Sequence, residues 1–282
     1  KDIKINPRFD LCPKYSAGII KGVKVKPSPD WLQKRIRQIG LRPINNLVDI
    51  TNLVMWETGN PLHVFDLDKI RGKQMTMDEA RGNEQFQSLD SLNYKLPQGA
   101  VIIKDVGRVI ALCGIKGGEN TAVDNNTKNI LIHVPIYSPV QIRRTSQVLG
   151  LRSEASILYT KGTNPENTVP TLARALELTL EFAGGSFSGE IIDLKEKEFK
   201  PWPISISHQK LEEILGIKIE KSEVLDIFTR LDLAISESQG TYAVTVPHRR
   251  SDLKIAEDLI EEVVRLHGYN KFPKTLPVGP VP

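Results

Sequence analysis

Cysteine is nearly absent: Cys12 and Cys113 are the two in 282 residues, far apart and outside any CxxC pairing. That excludes a disulfide-stapled scaffold and a paired-cysteine zinc site, and fits a reducing compartment. Long apolar runs are missing too; nothing approaches the roughly 20 residues a membrane helix requires. Lys1 opens straight into polar sequence, so no signal peptide is expected and the expected location is cytoplasmic. No GxSxG, HExxH or GxxxxGK[ST] pattern occurs. The histidines His63, His133, His208, His248 and His267 show no metal-ligand spacing. By themselves, then, the residues make no case for a covalent nucleophile, a zinc hydrolase or a P-loop nucleotide site. Internal repeats and low-complexity tracts are also lacking.

What remains is an ordinary globular composition, 40% apolar with 6% aromatics, long enough for about two domains. Net charge is +4, with a pI near 8.9. That permits RNA binding, but a nucleic-acid footprint is a clustered patch rather than a total. The missing initiator Met and the Pro-rich run from Pro273 to Pro282 are read as marks of a piece of a longer protein.

Local signals give an α+β fold. Ser28-Pro29-Asp30 is a helix start closed by Gly40, with Ser28 as cap. From Pro43, apolar residues at Leu47, Val48, Thr51, Val54 and Met55 keep helical spacing up to Gly59, leaving Asn46, Asp49 and Asn52 on the polar side. Met75 and Met77 alternate as in a strand. The runs 101–103 and 109–112 flank Asp105-Val-Gly107-Arg as a hairpin, and 129–134 is a further strand. Ser138-Pro139-Val140-Gln141 reads as a capping box for a helix ending at Gly150. Asn164-Pro165-Glu166 opens another, which Pro170 delays and Gly184-Gly185 ends. The charged, Pro-rich segment 195–203 is the expected boundary between a mixed-sheet domain, 1–197, and a small α+β domain, 198–282. In the latter, Ser207 and Ser222 cap two helices, a strand pair turns at Gly240, and a helix begins near Ser251. That order suits a winged-helix-like module, or simply a small α+β domain.

Three stretches carry candidate chemistry. Ala111-Leu-Cys-Gly114-Ile-Lys-Gly117-Gly118-Glu119 runs a strand into a Gly-rich turn, where backbone N–H groups can approach a ligand; a tight turn alone is the plainer reading. The segment Leu149-Gly-Leu-Arg152-Ser153-Glu154-Ala155-Ser156 follows a helix bearing Arg143 and Arg144, which could hold phosphates or face solvent. Asp258, Glu261 and Glu262, at i, i+3 and i+4, share a helix face opposite Ala256, Leu259 and Val263, with Asp252 near the helix start. Like charges at that spacing cost a few tenths of a kcal/mol per pair. A hard cation, a neighbouring base such as Lys254 or Arg265, or water must offset them.

The ordered series as a whole resembles the bacterial-type phenylalanyl-tRNA synthetase β-subunit family. The likeness begins with Cys12-Pro-Lys-Tyr-Ser-Ala17 and Pro27-Ser-Pro-Asp-Trp31. It continues through RPINNLVDITN from Arg42, GNPLHVFDLDKI from Gly59, GIKGGEN from Gly114, Thr127-Lys-Asn129 and LGLRSEAS from Leu149. It ends with Pro247-His-Arg-Arg-Ser-Asp252, Asp258-Leu-Ile-Glu-Glu262 and Arg265-Leu-His-Gly-Tyr269.

The resemblance implies that the first domain is an editing module hydrolysing tyrosine wrongly esterified to the phenylalanine tRNA. His63 would lie beside the ester and orient water or the terminal ribose. Thr51 and Asn52 would line the pocket, Gly117 would leave backbone room, and Ser153 and Ala155 would form the opposite wall. His133 stands where the family has a Glu suited to recognising the tyrosine hydroxyl; imidazole can also make that bond. Ser153 replaces a Thr and keeps its hydroxyl. The second domain would carry Mg²⁺ on Asp252, Asp258, Glu261 and Glu262 in the full enzyme. Implied partners are the tRNA and the α subunit of an α2β2 assembly, through which alone ATP would enter. The alternative is a non-catalytic RNA-binding and subunit-docking module with a degenerate pocket.

Overall fold

The structure is a computed structural model; it describes residues 2–274, in two units, Lys1–Glu198 and Phe199–Pro282. All but the first two residues of the expected linker at 273–282 lie outside the described residues.

The first unit runs β1 (Lys4–Asn6), β2 (Lys14–Lys21), α1 (Asp30–Gln38), α2 (Asn46–Thr58) and β3 (His63–Asp66). Next come β4 (Gln74–Glu79), β5 (Gln85–Gln87), β6 (Asn93–Lys95), β7 (Val101–Lys104), β8 (Val109–Leu112) and β9 (Lys116–Gly117). It closes with β10 (Asn129–Ile136), α3 (Pro139–Leu149), α4 (Glu154–Lys161), α5 (Thr168–Ala183), β11 (Ser186–Phe187) and β12 (Ile192–Lys195).

One sheet has the order β1-β4-β7-β8-β9 and is mixed, since β1 pairs with β4 in parallel and its other pairs are antiparallel. The second, β11-β2-β10-β3 with β12 also on β2, is antiparallel. Period-two alternation sends successive side chains to opposite faces. In the second sheet Tyr15, Ala17, Phe65 and Leu131 join a core shared with the first sheet. Their neighbours Val64, Ile130, Ile132 and Val134 pack against the helices, with Leu47, Ile50, Val54 and Leu172. The site described below sits on the first of these faces.

α2 ends as its pattern predicts, on Gly59 in the left-handed conformation (φ 73°). Its polar face is a different matter. Asn46 and Asp49 are buried, and each pins a loop. The Asn46 carboxamide accepts from Lys26 N–H at 3.1 Å and donates to the carbonyls of Lys24 and Phe182. Asp49 accepts from the Ser28 hydroxyl at 2.6 Å and from Ile44 N–H at 2.9 Å. Ser28 is thereby taken from its expected capping role, and Pro29 occupies the N-cap of α1. Ser138 also makes no side-chain cap bond; its expected partner Gln141 donates to Glu79 instead.

The second unit contains β13 (Trp202–Ser207), α6 (His208–Leu215), α7 (Lys221–Arg230), β14 (Ala234–Ser238), β15 (Thr241–Val246) and α8 (Ala256–His267). Its sheet order is β13-β15-β14, giving a winged-helix-like module. β13 starts inside the stretch read as boundary. Ile204 and Ile206 alternate into the core, and Pro203 is tolerated because the strand lies at an edge. Ser207 caps α6, accepting from Lys210 N–H. Ser222 lies within α7, whose N-cap is Glu220.

Candidate functional site

The pairing of β3 with β10 runs from Asp66 opposite Ile130 to His63 opposite His133 and stops there. Continued by one step the register would oppose Leu62 to Val134, and by a second Pro61 to Pro135, two residues with no N–H to give a ladder. Tyr159 of α4 bridges the gap. Its buried hydroxyl lies 3.2 Å from both proline carbonyl oxygens and donates to them. Two strand ends are thus held open, each presenting a histidine at its last paired position.

Both imidazoles lie on the face shared with the first sheet. Phe65 presents its ring at 4.6 Å from His63 and 4.9 Å from His133, centroid to centroid, and the two histidines are 6.1 Å apart. His63 is half-buried, yet its Nε2 is sealed from solvent and has no hydrogen-bond partner among the described residues. Gly117 of β9 lies directly against it: a Cβ there would fall 2.5 Å from His63 Cε1 and 2.8 Å from Nε2. The missing side chain is the space the imidazole occupies.

Two hollows share this contact as a wall. An inner pocket of about 90 Å³ is walled by Pro61, His63, Cys113, Gly117, His133 and Tyr159, among others. An outer groove of about 600 Å³ runs between α2 and the start of α4. Thr51, Asn52 and Ser153 line the groove alone, and His133 lines the inner pocket alone. His63, Gly117 and Ala155 border both. The seven residues picked from the sequence for this pocket therefore converge on one double cavity. Two of the hydroxyls are already engaged. Thr51 donates to Val48 C=O at 2.8 Å, and Ser153 caps α4 by accepting from Ser156 N–H at 3.2 Å. Tyr15, Phe65, Tyr159 and the Leu89–Asp90 turn were not singled out; Tyr15 lay within a quoted motif, but nothing local tied it to His133.

The cavity is electrically neutral at its centre. Burial lowers the His63 imidazole to about 4, and burial together with His63 lowers His133 well below its ordinary value. Burial also pushes the Cys113 thiol up to about 12, so no thiolate nucleophile is available. At the groove's edge Asp90 pairs with Lys116. The cavity's lining suits an uncharged aromatic group, and the His63 edge a small polar molecule. It offers no strong base.

Comparison with known proteins places these features. A family model for the B3/4 domain matches residues 11–184, and one for the tRNA synthetase B5 domain matches 204–269. The phenylalanine–tRNA ligase beta subunit of Carboxydothermus hydrogenoformans is 39% identical over 270 residues, 96% of this chain and 34% of that protein. The corresponding subunit of Fusobacterium nucleatum is 40% identical over 95% of this chain and 34% of its own length. The chain belongs to the phenylalanine–tRNA ligase beta-subunit family. It spans about a third of the length of these relatives. An N-terminal fragment of the phenylalanyl-tRNA synthetase beta subunit from Pyrococcus horikoshii aligns over 93% of this chain and 73% of its own, at 16% identity and TM-score 0.44, too distant to bear on the site.

The cavity thus belongs to the B3/4 domain, and the acidic helix α8 to the B5 domain. The four carboxylates of the latter are not gathered. Asp252 is held by Arg250, whose hydrogen bonds keep its carboxyl below the usual range. Asp258 is the N3 residue of α8 and accepts from the N–H groups of Lys254 and Ile255, tying off the helix end. Glu262 is buried; burial alone would raise it, but Arg265 and Arg250, at 2.6 and 3.2 Å, outweigh that and hold it low. Glu261 is exposed. Among the described residues no group of three His, Cys, Asp or Glu is placed to hold a metal ion. The carboxylates on this chain therefore do not fit a magnesium site by themselves; two arginines supply the offsetting charge.

Proposed function

We propose that the B3/4 domain hydrolyses the ester of tyrosine wrongly attached to the phenylalanine tRNA. The observation supporting this most directly is the His63–Gly117 contact, which sets a sealed, unpartnered imidazole nitrogen at the junction of a ring-lined pocket and a wider groove. In this reading the acyl side chain enters the inner pocket and the terminal ribose and base lie in the groove, so the ester falls beside His63. Water adds to the carbonyl, the ester C–O bond breaks, and the ribose oxygen leaves with a proton, giving tyrosine and free tRNA. A neutral His63 acts by orienting water or ribose rather than as a strong base.

The need is one of size. An apolar pocket rejects an isostere bearing one extra hydroxyl by only about 10²-fold, whereas a site that hydrogen-bonds the hydroxyl discriminates by 10⁴ or more. We assign ATP-dependent aminoacylation to the α subunit of an α2β2 assembly that also takes the phenylalanine tRNA as partner, in the cytoplasm. Any magnesium on the B5 domain would need ligands from outside this chain, and no step here runs through it. The test is deacylation of Tyr-tRNA(Phe) by the intact enzyme. His63→Ala is expected to slow it about 10²-fold through loss of positioning; unchanged hydrolysis would remove His63 from the mechanism.

A second reading rests on the inner pocket itself. A cavity of about 150 Å³ admits benzene, so the inner pocket, at about 90 Å³, must widen to accept a phenol ring. With His133 replacing the family's acid, the domain could instead serve RNA and subunit docking without catalysis. A crystal soak with tyrosine separates the two. Tyrosine bound beside His63 and Gly117 supports hydrolysis, whereas a pocket that stays closed supports docking.

A further inference from the structure

The hydrogen-bonding character of the inner pocket can be read from a buried pair behind it; this rests on the hydrolytic reading above. Tyr15 of β2 is buried, and its hydroxyl lies 3.0 Å from His133 Nδ1, its hydrogen-bond partner among the described residues. The rings meet edge to face at 5.2 Å. A buried phenol O–H without an acceptor is costly, so its proton goes to the acceptor it reaches among the described residues. Nδ1 must then be the bare nitrogen of a neutral imidazole, which places the ring proton on Nε2. Burial keeps the imidazole uncharged. Tyr15 is not part of the inner pocket's wall, whereas His133 is. With Nδ1 taken by a residue outside the pocket wall, Nε2–H is the polar group of His133 left for the pocket.

We propose that Tyr15 is a positioning residue that fixes the His133 tautomer and makes the inner pocket a hydrogen-bond donor site, selective for an acyl side chain with an acceptor oxygen at the far end of its ring. A carboxylate at position 133 would do the reverse: it accepts, and so welcomes any ring bearing a donor. The two pockets treat tyrosine alike and p-aminophenylalanine differently. The aniline nitrogen is a good donor and a poor acceptor, in nearly the same volume.

The experiment uses tRNA(Phe) charged separately with tyrosine, p-aminophenylalanine and phenylalanine, and follows deacylation by the intact enzyme. Wild type is expected to hydrolyse the tyrosyl ester roughly ten-fold faster than the p-aminophenylalanyl ester, the worth of one hydrogen bond. H133E should bring the two within about two-fold. In parallel, ¹⁵N-histidine spectra of the 282-residue chain should show His133 with a bare Nδ1 and a protonated Nε2. Y15F should draw those two resonances together as the tautomers mix, and reduce the tyrosine-over-phenylalanine preference. Equal rates for the tyrosyl and p-aminophenylalanyl esters in wild type, or a protonated Nδ1, overturn the donor assignment while leaving ester hydrolysis intact. Hydrolysis of none of the three esters overturns the hydrolytic reading, and the donor selectivity with it, even where the spectra show Nε2–H. The ester series on wild type needs no variant to fold.

Discussion

Gly117→Ala isolates the contact on which the site turns. Gly117 lacks a positive φ, so an alanine is permitted by the backbone and acts through its methyl group alone. That methyl would sit 2.5 Å from His63 Cε1 and 2.8 Å from Nε2, with Leu89 Cδ1 at 3.1 Å. Leu89 is half exposed and can swing aside. The imidazole cannot easily do so, because Phe65 and His133 pack on its other sides. Restoring an ordinary contact of about 3.5 Å requires the ring to move by about 1 Å. Overpacking of this kind destabilises by about 1–3 kcal/mol, which for a unit of this size lowers Tm by about 2–4 °C per kcal/mol. A displacement of about 1 Å at a positioning group costs on the order of 10²-fold in rate. The assay pairs Tyr-tRNA(Phe) deacylation with thermal unfolding, in wild-type and His63→Ala backgrounds. Once His63 is an alanine the close neighbour that remains for the methyl is Leu89, which can swing aside, so the stability penalty of Gly117→Ala should fall to within about 0.5 kcal/mol of zero. A penalty that persists undiminished in that background, or wild-type hydrolysis by the single variant, would refute the reasoning.

The His63 shift makes stability depend on pH. Its native value is lowered to about 4 while the unfolded chain keeps about 6.5, so between those values the unfolded state binds more protons and stability falls as pH falls. At 1.36 kcal/mol per pH unit the loss reaches at most about 3.5 kcal/mol, complete near pH 4, and His133 adds to it with the same sign. Urea unfolding from pH 7 to 4.5 should show a shallower slope for His63→Asn; identical slopes would contradict the assignment. In the B5 domain, Arg250→Ala leaves buried Glu262 with only the half-exposed Arg265 and should destabilise by about 1–3 kcal/mol, less than a fully buried pair would lose. A change under 0.5 kcal/mol in unfolding free energy would mean that Arg250 is dispensable there.

What the sequence determined was what a few neighbouring residues can enforce. The apolar spacing of α2 and its stop at Gly59, the 101–112 hairpin through Gly107, and the Ser207 cap and Gly216 stop of α6 were all legible, because each is settled within a turn or two. The ordered motifs also carried the family and named the residues that meet at the double cavity. Tertiary structure decided which polar groups were free to act. Asn46 and Asp49 looked like a polar face and are buried pins; Ser28 looked like a cap and serves Asp49. The B5 carboxylates left a cation, a base or water open as their offset; Asp252 and Glu262 are held by arginines, Asp258 ties off a helix end, and Glu261 is exposed. Tyr15 and His133, 118 residues apart, meet only because β2 and β10 pair in one register. Hydrogen bonds and ion pairs go to whichever partner packing delivers, and strand register delivers partners that no local pattern encodes.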